Sequence, residues 1–290
     1  MSSKKFDLSI RGKIPSFNKI IRVDSDKSIS IRSFLIGSIS QNISIVKNIL
    51  ESEDVFSTIE CLKKLGVKIK KIKSSYQIYG KGLGSLKAKK NLELNFGNSG
   101  TLARLLIGLL STNPEINIKI KGDRSLNKRS MKKIINIMHK FGATFLPKDK
   151  FNFPIKIISS KSPVAIKYKA GVSAQLKSAV ILAGLNSFGN TEIIERARSR
   201  DHTENILLKN TDAIQVKNGN KKIIKIYGKR FLNKINIEVP GDPSSAAFYS
   251  ALTILNKNSS ILIKKVGLNP TRTGFYKILK KAGAKIKFIN

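Results

Sequence analysis

The chain has 290 residues, 41% of them hydrophobic, which is enough to bury a sizeable core and more than one domain usually takes. No stretch approaches the roughly 18 uninterrupted apolar residues of a membrane-spanning helix, and the start, MSSKKFDLSIRG, lacks the apolar segment and cleavage site of a signal peptide; a cytoplasmic protein is expected. The formal charge of +37 would suit nucleic acid, since clustered Lys and Arg bind phosphate by displacing counterions. The lysines are instead spread along the chain beside abundant Ile and Asn, and there is no Trp for base stacking. A drift toward A- and T-rich codons accounts for this, and a basic nucleic-acid-binding protein stays as the competing reading. So positive a field would also steer small polyanions toward a cleft.

Two markers repeat along the chain. The phrases LKKLGVKI, MHKFGATF, LKNTDAIQ and LKKAGAKI begin at Leu62, Met138, Leu208 and Leu279, at intervals of 76, 70 and 71 residues. Upstream of each lies a small-residue phrase opening an apolar run, and the serines Ser28, Ser99, Ser173 and Ser244 in those phrases are 71, 74 and 71 apart. Each unit of roughly 70 residues reads as a strand, a helix begun by Gly, Ser or Asp, a second helix closed by a glycine, and a strand pair with alternating apolar residues. The third copy carries Asp212 in place of the closing glycine.

In chain order, the first helix start is SDKSISIR, where Lys27 and Ser28 open the helix and Arg32 lies one turn beyond Ser28 on the same face. Helix N-termini hold unpaired N–H groups and partial positive charge, so this patch suits an anion; an N-cap serine with two solvated cations is the plain alternative. Cys61 follows in VFSTIECLKKLGV, where a buried, unreactive thiol is expected, and VKIKKIKSSYQIYG reads as a charged strand pair. The second start, GNSGTLARLL, has Gly97 and Gly100 flanking Asn98 and Ser99, with Arg104 one turn after Gly100. Its glycines would let a ligand touch the backbone, or mark only a tight turn. His139, in IINIMHKFG, is a helix-face residue.

The third start holds Ser173 and Gln175, an amide that donates and accepts at once. Further on, SRDHTE mixes Asp201, His202 and Glu204, but with two histidines in the chain and no metal-ligand spacing, Asp201 is read as a cap for a helix beginning near Thr203, with Ser199 and Arg200 before it as phosphate ligands. In GDPSSAAFYSALTI, Asp242 is a helix-start or hinge residue. The last segment, AKIKFIN, reads as a strand. No catalytic Ser, His and Asp set, dinucleotide fingerprint or P-loop is present, so phosphate-directed binding is what remains, with no cofactor and no metal.

Taken together and in order, SDKSISIR, LESEDVFSTIECLKKLGV, GNSGTLARLLIGLL, GDRSLNKRSM, SAQLKSAVILAGL, SRDHTE, VPGDPSSAAF and VGLNPTRTGF resemble the enolpyruvyl transferase family, and within it the shikimate-pathway branch, from about Leu8 to Asn290. The branch acting on a UDP-sugar has other phrases here and a reactive loop cysteine, a setting Cys61 does not share. The resemblance implies an α/β fold, an inside-out α/β barrel built from βαβαββ units, of which about four of the family's six are present. Residues 23–235 would form a complete first domain; residues 1–22 and 236–290 would be part of a second.

The implied reaction moves the carboxyvinyl group of phosphoenolpyruvate to the 5-hydroxyl of shikimate 3-phosphate and releases phosphate, in aromatic amino-acid biosynthesis. By the same resemblance Lys27 would bind both substrates; Ser28, Arg32, Ser173, Ser199 and Arg200 would hold shikimate 3-phosphate; Gly100 and Arg129 would hold phosphoenolpyruvate; and Gln175 would touch both. The family's Asp, Glu and Lys for proton transfer are implied to lie beyond Asn290, so a C-terminally truncated chain, even an inactive remnant, is expected. The family's Pro and Gly before the DKS phrase are Asp24 and Ser25 here, its His before Arg32 is Ile31, and its Pro after the clamp arginine is Ser130. Expected partners are the two small-molecule substrates, with no membrane, and with nucleic acid only under the competing reading; the complete protein is expected to be a glyphosate-sensitive monomer.

Overall fold

Four helix starts organise the chain, and their caps are not all serine. The computed structural model describes Asp7, Ser9 and residues 11–289; Leu8 and Asn290, the limits of the family resemblance, lie outside the described residues. After β1 (Asn18–Ile21), α1 (Lys27–Ile39) is capped by Asp26, which accepts from the Ile29 N–H at 2.9 Å. Then come β2 (Gln41–Lys47), α2 (Glu53–Lys64), and the hairpin β3 (Lys68–Ile72) and β4 (Ser75–Lys81). The next copy runs β5 (Glu93–Asn95), α3 (Gly100–Thr112), β6 (Asn117–Lys121), the short α4 (Arg124–Asn127), α5 (Lys132–Lys140), β7 (Thr144–Leu146) and β8 (Ile155–Ile158). The third runs β9 (Lys167–Ala170), α6 (Ala174–Leu185), β10 (Asn190–Glu195), α7 (His202–Leu208), β11 (Ile214–Lys217) and β12 (Lys222–Tyr227). Last come β13 (Asn236–Glu238), α8 (Pro243–Leu255), β14 (Ser260–Ile263) and α9 (Gly274–Lys281). The architecture is α/β.

Ser99 and Ser173 cap α3 and α6, but Asp26 and Asp242 cap α1 and α8. The repeated serine therefore marks two different helix positions, and Ser28, which could have been a cap, sits inside the first turn with its hydroxyl available for other work. Closing glycines follow α2, α5 and α9 at positive φ, Gly66 at 85°, Gly142 at 91° and Gly283 at 97°. The third copy, lacking that glycine, ends α7 differently: the Asn210 and Thr211 N–H groups return to the Leu207 carbonyl at 2.8 and 3.0 Å.

Helices α1, α3 and α6 are buried on nearly all sides, whereas α2 and α5 keep a charged outer face. A helix apolar all round belongs inside and an amphipathic one on the surface. The inner helices approach closely: a Cβ on Gly108 of α3 would stand 2.5 Å from the Ala179 carbonyl oxygen of α6, so only glycine fits there.

Three four-stranded sheets share one pattern, a short strand parallel to the strand after the inner helix and then an antiparallel hairpin: β5-β6-β8-β7, β9-β10-β12-β11 and β13-β2-β4-β3. The last is unusual in its connectivity. Strand β13 pairs with β2 from the far end of the chain, with Asn236 opposite Ile45. Strand β1, which precedes α1 in sequence, instead pairs in parallel with β14, Asn18 opposite Ser260. The chain thus exchanges first strands between its first and last repeats. It divides into two compact units, residues 1–24 with 241–290, and residues 25–240; the larger holds the three complete repeats.

The strand expected in AKIKFIN does not form, since residues 284–289 are irregular. A strand exists only as a partner in a ladder, and among the described residues no strand lies beside this segment. No helix among the described residues is long and apolar enough to cross a membrane.

Candidate anion-binding site

The larger unit brings most of the candidate residues together through hydrogen bonds. With Asp26 doing the capping, Ser28 turns to Arg32, whose Nη1 donates to the Ser28 hydroxyl at 2.5 Å and to its carbonyl at 3.1 Å. Arg32 is only 3% exposed; its Nε donates to Thr203 Oγ1 of α7 at 2.9 Å and its Nη2 to Ser178 Oγ of α6 at 3.1 Å. Thr203 donates in turn to Ser178 at 2.8 Å. A buried guanidinium oriented by hydroxyls presents its positive charge to an anion. Lys27, half exposed, pairs with Asp54 of α2 at 3.0 Å.

A second group surrounds the start of α3. Arg104 Nη1 donates to the Gly100 carbonyl at 2.9 Å and to Gln175 Oε1 at 3.1 Å, while Gln175 Nε2 donates to Thr101 Oγ1 at 3.0 Å. Arg129 reaches the same helix start through Asn98, at 2.9 Å. A Cβ placed on Gly100 would meet Arg104 Nη1 at 2.9 Å and Arg129 Nη1 at 3.4 Å, so two guanidinium groups flank one glycine at a helix N-terminus. Burial, and then the charge of Arg129, lower the Arg104 guanidinium from its ordinary value. An anion between them would relieve that repulsion and meet the helix N–H groups.

Helix α6 joins the two groups: Gln175 serves the second, Ser178 one turn on serves the first, and Ser173 caps the helix, accepting from Leu176 N–H at 3.4 Å. Ser199 is buried, with its N–H and hydroxyl both donating to Glu195 Oε1, at 2.8 and 2.6 Å; Arg200 beside it is exposed.

SRDHTE holds neither a triad nor a metal set. Asp201 does stand at the N-cap of α7, yet its side chain makes no cap bond and accepts from Asn205 Nδ2 at 3.1 Å, so the expected capping role fails because the carboxylate is turned along the helix instead of back across its end. Glu204 is buried against Lys177 at 2.8 Å. Asp242 caps α8, accepting from Ser244 N–H at 2.7 Å and from Arg272 at 2.6 Å. His139 Nδ1 lies 2.9 Å from the Ala143 carbonyl oxygen, and burial pushes the Cys61 thiol up to about 12, so it is unreactive. Sequence reasoning missed Thr203, Ser178, Lys177 and Glu195. Lys177 carried the clearest signal, as a lone charge in the apolar run AQLKSAVILAGL that had to find a buried partner.

The family model described as EPSP synthase (3-phosphoshikimate 1-carboxyvinyltransferase) matches residues 13–289. A 3-phosphoshikimate 1-carboxyvinyltransferase of Bacillus subtilis is 41% identical over 279 residues, covering 96% of this chain and 64% of its own length. One of Zymomonas mobilis is 39% identical over 281 residues, 96% and 62% of the two. The solved EPSP synthase of Acinetobacter baumannii superposes with a TM-score of 0.85 at 36% identity, covering 95% of this chain and 62% of that one. The chain therefore spans about three fifths of the length of the relatives it matches. With a match running along almost its whole length, the chain belongs to the EPSP synthase (3-phosphoshikimate 1-carboxyvinyltransferase) family.

Proposed function

We propose that this chain binds phosphoenolpyruvate and shikimate 3-phosphate side by side for transfer of the carboxyvinyl group to the 5-hydroxyl of the second, with release of phosphate, in the cytoplasm, the complete protein being a monomer. The observation that carries this reading is the α6 bridge: Gln175 bonds the arginine at the α3 start, while Ser178 one turn on bonds the arginine of α1. Two anion sites joined by one helix suit a reaction whose partners are both polyanions.

In this reading Gly100, Arg104 and Arg129 take the phosphoenolpyruvate phosphate, and Ser28, Arg32, Ser173, Ser199 and Arg200 take shikimate 3-phosphate. Lys27 leaves Asp54 to face both ligands, and Gln175 spans them. Cationic side chains and helix N–H groups offset the mutual repulsion of the substrates and hold them near attack distance. The chemistry is protonation of the phosphoenolpyruvate methylene, attack by the hydroxyl to form a tetrahedral intermediate, and loss of phosphate, which calls for a general acid and base. The residues above supply the binding part of that work.

Calorimetric titration with each ligand, alone and in the presence of the other, tests the proposal. Shikimate 3-phosphate is expected to bind, shikimate without its phosphate to bind much more weakly, and Arg32→Ala to abolish the difference. Equal binding of both compounds would sink the reading. Steeply salt-dependent retention of DNA or RNA that survives Arg32→Ala and Arg129→Ala would favour nucleic acid instead.

A further inference from the structure

Behind the α1 and α6 site lies a cluster of four charges, three of them buried and the fourth, Lys222, partly exposed, that the binding roles do not use. Lys177 of α6, fully buried, places Nζ 2.9 Å from Glu195 Oε1 and 2.8 Å from Glu204 Oε1. Lys222 of β12 lies 3.3 Å from Glu204 Oε1 and 3.9 Å from Glu195 Oε2. Two ammonium groups balance two carboxylates, as buried charge requires. The cluster is wired to the site through adjacent residues: Lys177 precedes Ser178 and Glu204 follows Thr203, and both of those hydroxyls receive Arg32.

Glu195 is loaded on one side only. Its Oε1 accepts from Lys177 Nζ, the Ser199 N–H and the Ser199 hydroxyl, while its buried Oε2 accepts no hydrogen bond. A serine hydroxyl has one proton. While Glu195 holds it, Ser199 can offer an incoming ligand only lone pairs, and a phosphate dianion brings only acceptors.

We infer that Glu195 is a positioning residue that competes with a bound phosphate for the Ser199 proton: the ligand-free chain parks the hydroxyl on Glu195, and anion binding turns it outward. This rests on the reading that Ser199 faces the substrate phosphate. The swing leaves Glu195 with two of its three donors, the Ser199 N–H and Lys177, so the carboxylate stays ionised and the balance of the cluster is undisturbed. Glu195 thereby sets how tightly a phosphate is held, by fixing what that phosphate must displace.

Glu195→Gln weakens the competitor while keeping its shape, and its amide nitrogen can occupy the Oε2 position, where no hydrogen bond is lost. Glu204→Gln makes the same charge change without touching Ser199. Titrated calorimetrically with shikimate 3-phosphate, Glu195→Gln is expected to bind about fivefold more tightly than wild type, and Glu204→Gln within about twofold of it. The gain is expected to vanish when Ser199→Ala is added. Glu195 as mere scaffolding would weaken binding instead, so a loss, or a gain matched by Glu204→Gln, overturns the inference.

A second measurement needs no variant. Nuclear magnetic resonance of the wild-type chain should show the Ser199 amide signal moving on titration with shikimate 3-phosphate and with inorganic phosphate, as the hydroxyl leaves the oxygen it shares with that amide. Movement with inorganic phosphate alone would sink the substrate assignment and uphold Glu195's part. No movement with either overturns the inference.

Discussion

Arg32 on α1 and Thr203 on α7 meet at 2.9 Å across 171 residues of sequence, and Ser178 of α6 completes the grip on the same guanidinium. Three helices of two different repeats thus converge on one positive charge. A lysine has no planar fork to reach Ser28, Thr203 and Ser178 together. Arg32→Lys is expected to cost about 1–2 kcal/mol of stability, from hydroxyls left without their donor, and to weaken shikimate 3-phosphate at least about tenfold. Urea unfolding and calorimetry check the two effects separately.

Gly100→Ala should act on ligands and not on folding. The new methyl group would meet the end of the long Arg104 side chain at 2.9 Å, which can shift by re-forming its bonds to the Gly100 carbonyl and Gln175, and alanine suits a helix better than glycine. Thermal unfolding is expected to be unchanged or slightly higher, while phosphoenolpyruvate and the family's inhibitor glyphosate bind more weakly. Equal affinity of both for the variant and wild type would refute the placement of the phosphate beside Gly100.

Removing Lys177 should be far more damaging than its single charge suggests. Lys177→Met leaves Glu195 and Glu204 buried with Lys222 as the one cation in ion-pair range among the described residues, and uncompensated buried charge costs about 3 kcal/mol or more. Chemical denaturation would measure the loss. A change under about 1 kcal/mol would mean that water reaches the cluster freely.

Acid should erase the contribution of Glu195. Burial alone would push its carboxyl up, but hydrogen bonds from Ser199 and Lys177 outweigh burial and hold it below the ordinary value. The folded chain then binds this proton less readily than the unfolded one. Its contribution is complete above the unfolded carboxylate value of about 4.3 and is lost as pH falls through the lowered folded value. The stability difference between wild type and Glu195→Gln is expected to shrink across that window, as followed by denaturation at stepped pH.

Much of the site is legible in the residues alone. The four-residue step from Ser28 to Arg32 and from Gly100 to Arg104 puts each pair on one helix face, and small residues at the helix starts mark candidate anion sites. The partners of Arg32 are not legible in this way, because Thr203 and Ser178 carry no mark distinguishing them from other hydroxyls. Nor is the cap of α1, where Asp26 and Ser28 both have the right chemistry and only backbone geometry chooses between them.

Short-range chemistry along the chain was enough to set what acts over a few residues: helix starts, the glycine endings at Gly66 and Gly142, the hairpin of β3 and β4, and the division between wholly apolar inner helices and amphipathic outer ones. Long-range packing chose the rest, namely the exchange of β1 and β13 between the first and last repeats, the joining of the two arginine groups along α6, and the pairing of Lys177 with Glu195 and Glu204. Those outcomes depend on strand ladders and buried charges satisfied by groups distant in the chain. Local periodicity says that such a partner must exist, and only the folded chain selects it.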